Sequence, residues 1–150
     1  MKTASFGWCL VALLITLPTL AHDGVPEQSA ATRFGWVDVF VQAGETPLAA
    51  YQFQLRSADP SMKIVGVEGG DHAAFADAPY YDPAALQRGR IVVGDFSTAD
   101  NLPSGRTRVA RIHLMYAGET PHLDARLLVA AGSDGRPIAG RIQLEQGASS

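Results

Sequence analysis

From Phe34 onward the chain falls into short runs of alternating apolar and polar positions, separated by turn residues. Such runs mark strands, because successive side chains of a strand point to opposite faces. In Phe34–Gln42 (FGWVDVFVQ), Val37, Val39 and Val41 share one face and Trp36, Asp38 and Phe40 the other. Both faces carry large apolar groups, which predicts a strand covered on both sides. Ala43–Pro47 turns the chain. Leu48–Gly70 (LAAYQFQLRSADPSMKIVGVEGG) then supplies two more strands. Ala49, Tyr51, Phe53 and Leu55 point one way; Ala50, Gln52, Gln54 and Arg56 point the other. Asp59-Pro60 breaks the run, since proline lacks an N–H and restrains the residue before it. The next strand, Met62–Val67, ends at Gly69-Gly70, read as turn glycines. Tyr51, Phe53, Leu55, Val65 and Val67 are the predicted core of this stretch.

Further strands are predicted over Arg90–Ser97, Thr107–Tyr116, Leu123–Ala131 and Pro137–Gln146. In Thr107–Tyr116 the inward face is Ala110, Ile112, Leu114 and Tyr116; Val109, Arg111, His113 and Met115 make a mixed outer face. Ser133–Arg136 (SDGR) is a hairpin signal between the last two strands. The one helical feature is Asp82–Gln87, where Asp82 is an N-cap followed by proline at the first helical position. Parallel strands would need helical crossovers, for which there is no room. The pattern therefore predicts an all-β sandwich or barrel.

Four segments carry a family resemblance: VDVFVQA; LAAYQFQLRSADPSMKIVGVEGG with its Asp-Pro turn; GRIVVGDFS; and GRTRVARIHL. Through them the chain from about Phe34 to Gln146 resembles cohesin-like domains, which are related in fold to some carbohydrate-binding modules. The resemblance implies a jelly-roll β-sandwich of about 7–9 strands acting as a non-catalytic binding module for a protein or carbohydrate partner. Cohesins proper bind dockerins through one sheet face. No binding residue is carried over from the resemblance.

The N-terminus changes the compartment expected. Lys2 precedes the apolar run Phe6–Leu17, and Thr19 and Ala21 stand at −3 and −1 of a cut before His22. This is the pattern of a secretory signal over residues 1–21, so the protein is expected to be secreted or periplasmic. The run is shorter than the ~20 residues a membrane span needs. No membrane span is expected after cleavage. The polar stretch 22–32 (HDGVPEQSAAT) reads as a flexible leader, 33–146 as the sandwich, and 147–150 as a tail. Cys9 is the only cysteine and lies inside the signal. The exported chain then has no disulfide, no thiol nucleophile and no thiolate metal site. Formal net charge is −3 and the arginines are dispersed. No nucleic-acid partner and no cofactor are expected.

Candidate chemistry concentrates in the irregular segment Gly70–Gly89. Asp71, His72, Asp77, Tyr80, Tyr81 and Asp82 occur there together. Oxygen ligands could hold calcium, and the tyrosines could stack on a sugar. The plainer reading is a loop pinned to the sandwich by Phe75 and the tyrosines, with Asp82 as a cap. A short glycine linker in its place is expected to abolish binding and keep the fold. The alternative function is copper binding. A mature N-terminal His22 offers an amine and an imidazole, which suit Cu(II). His113, or the pair His122 and Asp124, could complete the site. Ser133–Gly140 resembles the closing hairpin of small periplasmic copper carriers. Asp38 and Asp95, each within an apolar strand, could form a carboxylate pair for glycoside hydrolysis. An outward strand position or a local hydrogen bond accounts for each more simply. No G-x-S-x-G and no phosphate-binding loop is present.

Overall fold

In a computed structural model, residues 30–148 are described. The expected signal, most of the leader and His22 lie outside them. The fold is an all-β sandwich of two antiparallel four-stranded sheets. Its strands are β1 (Thr32–Gln42), β2 (Ala50–Ser57), β3 (Lys63–Gly69), β4 (Tyr80–Tyr81), β5 (Arg90–Phe96), β6 (Arg106–Ala117), β7 (Leu123–Ala131) and β8 (Arg141–Ala148). The first sheet has the order β3-β6-β1-β8 and the second β4-β5-β2-β7. The chain changes sheet at every connection except β4 to β5.

Alternation produces this architecture directly. Val37, Val39 and Val41 of β1 are fully buried, as are Phe53 and Leu55 of β2 and Ile112 of β6. They interdigitate between the sheets in one core. On the outer face of β1, Arg111 and Arg106 lie over the rings of Trp36 and Phe40, leaving Trp36 half-buried and Phe40 buried.

Several boundaries and faces differ from the sequence expectation. Thr32, placed in the leader, pairs with Ala117, and Gly147 and Ala148, placed in the tail, pair with Trp36 and Gly35. A bulge in β6 leaves Val109 opposite no residue of β1, between Ala110 and Arg108. The extra residue shifts the phase, so Val109 turns inward and is fully buried, not on the mixed outer face. A second irregularity in β3 skips Val65, and Ile64 takes the core position expected of Val65.

The SDGR turn does form. Gly132 N–H donates to Arg136 O at 3.0 Å and Ile138 N–H to Ala130 O at 2.8 Å. It does not join paired strands, however: β7 belongs to the second sheet and β8 to the first. Crossing over lets Ile142 and Leu144 of β8 cover the core beside β1.

Candidate binding face on the second sheet

The segment 70–89 is built in three anchored pieces. His72 caps a 3-10 turn, Ala73–Phe75, its Nδ1 accepting from Ala74 N–H at 3.2 Å. That turn drives Phe75 into the core, where it meets Tyr51 edge-on at 5.2 Å. Tyr80 and Tyr81 then add β4 to the edge of the second sheet, opposite Gly94 and Val93. Asp82 caps the second 3-10 turn, Pro83–Ala85, accepting from Ala84 N–H at 2.9 Å.

This arrangement separates the residues grouped from sequence. Asp71 and His72 lie beside the first sheet, in a depression shared with Phe40 and Arg106. Asp71 is held there by Arg108. Tyr80, Tyr81 and Asp82 line a different hollow on the second sheet. The two tyrosines also part company. Tyr81 packs against the core, whereas Tyr80 is 71% exposed and pins nothing.

The hollow is an open trough of ≈ 800 Å³ on the outer face of β4, β5 and β2. Phe96, 64% exposed, stands beside Tyr80. Their ring planes lie within 10° of parallel, with centroids 6.5 Å apart. Gly94, directly across from Tyr80, keeps the floor open. A Cβ there would meet Gln52 Cγ at 3.3 Å and Tyr51 O at 3.1 Å. Ala50, Val92 and Val129 add apolar wall, and the amide of Gln52 and the guanidinium of Arg90 add polar groups. Arg90 donates to Gln54 Oε1 at 2.9 Å.

Phe96, Gly94, Gln52, Arg90 and Val129 were not among the sequence candidates. Gln52, Gln54 and Arg56 were legible as one outward face. That Phe96 and Tyr80 join them follows only from the β2–β5 and β4–β5 registers.

The other candidates have structural partners. Asp38 faces outward on the first sheet, bound by Arg111 at 2.7 Å and Arg108 at 3.2 Å. The Arg111 hydrogen bonds hold its carboxyl below the usual value against an opposing effect of burial. Asp95 is on the second sheet, in register with Tyr51, its Oδ1 accepting from Phe96 N–H at 2.8 Å. Burial raises its pKa. The two carboxylates thus occupy different sheets, and their pKa values are shifted in opposite directions. His113 contacts Glu68 Oε1 at 2.7 Å, and Asp124 pairs with Arg56 at 2.8 Å. Among the described residues no three His, Cys, Asp or Glu side chains converge as a metal site.

No known family model, curated protein or solved structure matches this chain.

Proposed function

We propose that the protein is an exported, non-catalytic binding module that takes a saccharide chain along the outer face of its second sheet. The observation that carries this reading is the exposed, near-parallel pair Tyr80 and Phe96 beside the side-chain-free floor at Gly94. Flat apolar rings with a polar handle suit the apolar face of a sugar. Amide and guanidinium groups at the trough's edge suit its hydroxyls. The trough's lining follows β5 from Arg90 to Phe96, a length that suits a polymer. The all-β sandwich agrees with the coarse architecture that the cohesin-like resemblance implies, and that resemblance supports a binding module. The placement of Asp38 and Asp95 on different sheets removes the motive for the hydrolase reading considered from sequence.

Affinity electrophoresis against a panel of soluble polysaccharides tests the proposal, with wild type beside a Tyr80→Ala/Phe96→Ala double variant. Retardation of the wild type by at least one polysaccharide, lost in the double variant, supports it. No retardation by any of them, or equal retardation of both proteins, overturns it. Tight binding of a purified protein that needs Tyr80 and Phe96, without polysaccharide binding, would assign the same face to a protein partner. Replacing the whole segment 70–89 is unsuitable, contrary to the sequence expectation, because it would remove Phe75 from the core and β4 from the sheet.

A further inference from the structure

We propose that the far end of this trough is a carboxylate subsite, so that the saccharide is a uronic-acid polymer. The inference rests on the saccharide reading above. Past Asp82, Ala85 and Arg90 the trough continues into a second depression, lined also by Arg56 and Arg88. Arg56 and Arg90 are directly opposed across β2 and β5. Like charges so placed repel, and an anion beside Arg90 would lessen that repulsion. Arg56 has Asp124 as a partner. Among the described residues Arg88 and Arg90 form no ion pair. Asp82 is the one carboxylate lining this end, and its Oδ1 is engaged in capping Ala84. With Arg56 paired to Asp124, Arg88 and Arg90 stand against the one lining carboxylate, Asp82, and make a basic end on a chain whose formal net charge is −3.

The backbone under these arginines is fixed. Arg88 N–H donates to Ala85 O at 3.2 Å, Ile64 N–H to Arg88 O at 3.0 Å and Ser57 N–H to Gly89 O at 2.9 Å. Gln87, just before them, is held at φ 64°, a left-handed conformation uncommon outside glycine. Its own N–H donates to Ile64 O at 2.8 Å. The arginines therefore project from a set position instead of a loose loop. A guanidinium fork matches a planar carboxylate with two parallel hydrogen bonds. From Phe96 to Arg90 the strand spans ~20 Å, so rings at one end and guanidinium groups at the other address different residues of one oligosaccharide.

Titration calorimetry with hexamers of galacturonate, mannuronate and guluronate, each beside its carboxyl-reduced neutral form, tests this. Polyglutamate serves as a polyanion without sugar. At least one uronate hexamer should bind about ten-fold or more tightly than its reduced form. An Arg88→Ala variant, which lies outside the trough lining and leaves Arg90 in place, should lose most of that difference while binding the reduced form as wild type does. Arg88→Lys, which keeps the charge and loses the fork, should retain only part of it and guards against misfolding of the alanine variant. Equal binding of acidic and reduced hexamers overturns the carboxylate subsite and leaves the saccharide reading standing. Polyglutamate binding as tightly as the uronates, or selectivity unchanged in the arginine variants, also overturns it. If no hexamer binds, acidic or neutral, the uronic-acid reading falls, and the polysaccharide panel decides the saccharide reading by itself.

Discussion

The phenol of Tyr51, on the second sheet, donates across the core to the carbonyl of Val109, on the first, at 2.9 Å. Val109 is the bulge residue that has no register partner on β1, and the hydroxyl gives its carbonyl a partner inside the core. Burial, with the nearby Asp95 carboxylate, pushes the phenol's pKa well above the usual tyrosine value, so it stays protonated and able to donate. Tyr51→Phe keeps the ring against Phe53 and Phe75 but strands a buried carbonyl. The expected cost is about 1–3 kcal/mol, read as a lower urea midpoint with an unchanged m-value.

How much of this was legible from residues alone divides along one line. Period-2 alternation reports which face a residue takes within a strand, and it placed Tyr51, Phe53 and Leu55 correctly. It cannot report an interruption that arises when two distant strands meet. The bulges at Val109 and at Val65 are of that kind, since each depends on the partner's register. The glycines after β3 illustrate a second limit. They read as turn residues, yet neither has a left-handed φ. A Cβ on Gly70 would lie 2.1 Å from Arg108 O, and one on Gly69 would lie 2.3 Å from Ala76 O. Close backbone approach is what requires them, and only the folded chain shows it. The binding face follows the same rule: Tyr80 stood out in the sequence, and Phe96 needed the sheet.

Gly70→Ala should therefore destabilise through a clash with fixed backbone, not through turn geometry. Arg108, whose carbonyl is struck, also bonds Asp71 and Asp38 through its side chain. We expect a loss of about 1–3 kcal/mol, measured by urea unfolding.

The indole of Trp36 covers Gly147, its register partner on β8. A Cβ on that glycine would fall 1.4 Å from Trp36 Cζ3. Arg111 lies over the same indole, 5.1 Å from the ring centroid. Gly147→Ala must expel the indole, since the ring and the new methyl cannot share the space. The chain's other tryptophan, Trp8, lies in the predicted signal, so the processed form reports on Trp36 alone. The expected result is a red-shifted tryptophan emission and a loss of about 1 kcal/mol or more. An unshifted spectrum would show that the indole does not rest on Gly147.

Asp38 and Asp95 should give the stability profile opposite slopes. The folded pKa of Asp38 is lowered below the ordinary 3.8 by its Arg111 hydrogen bonds, offset in part by burial. Asp71 is lowered by its hydrogen bond to Arg108. Their contribution is complete above that ordinary value and is lost as pH falls through the folded values. The folded pKa of Asp95 is raised by burial, so its ionisation lowers stability as pH rises above 3.8. Asp38→Asn should cost about 2 kcal/mol at pH 7 and flatten the acid limb below pH ~4. Asp95→Asn should instead stabilise the protein at pH 7. Urea titrations from pH 2 to 7 measure both.

The last expectation separates ring from hydroxyl at the binding face. Tyr80 is 71% exposed and occupies a two-residue edge strand, so truncating it removes little buried area. Tyr80→Ala should leave the urea midpoint within ±0.5 kcal/mol of wild type. If the ring stacks on a sugar, the same change should weaken saccharide binding about ten-fold. Tyr80→Phe, which preserves the plane parallel to Phe96, should bind within about two-fold of wild type, because stacking depends on the ring face and not on the phenol oxygen. Phe96→Ala should match Tyr80→Ala. If the pair forms one platform, the double alanine variant should lose less than the two single losses combined, since either truncation already breaks the surface. A Tyr80→Phe variant as weak as Tyr80→Ala would assign the interaction to the hydroxyl and remove stacking as its basis. Full additivity would make the rings independent contacts.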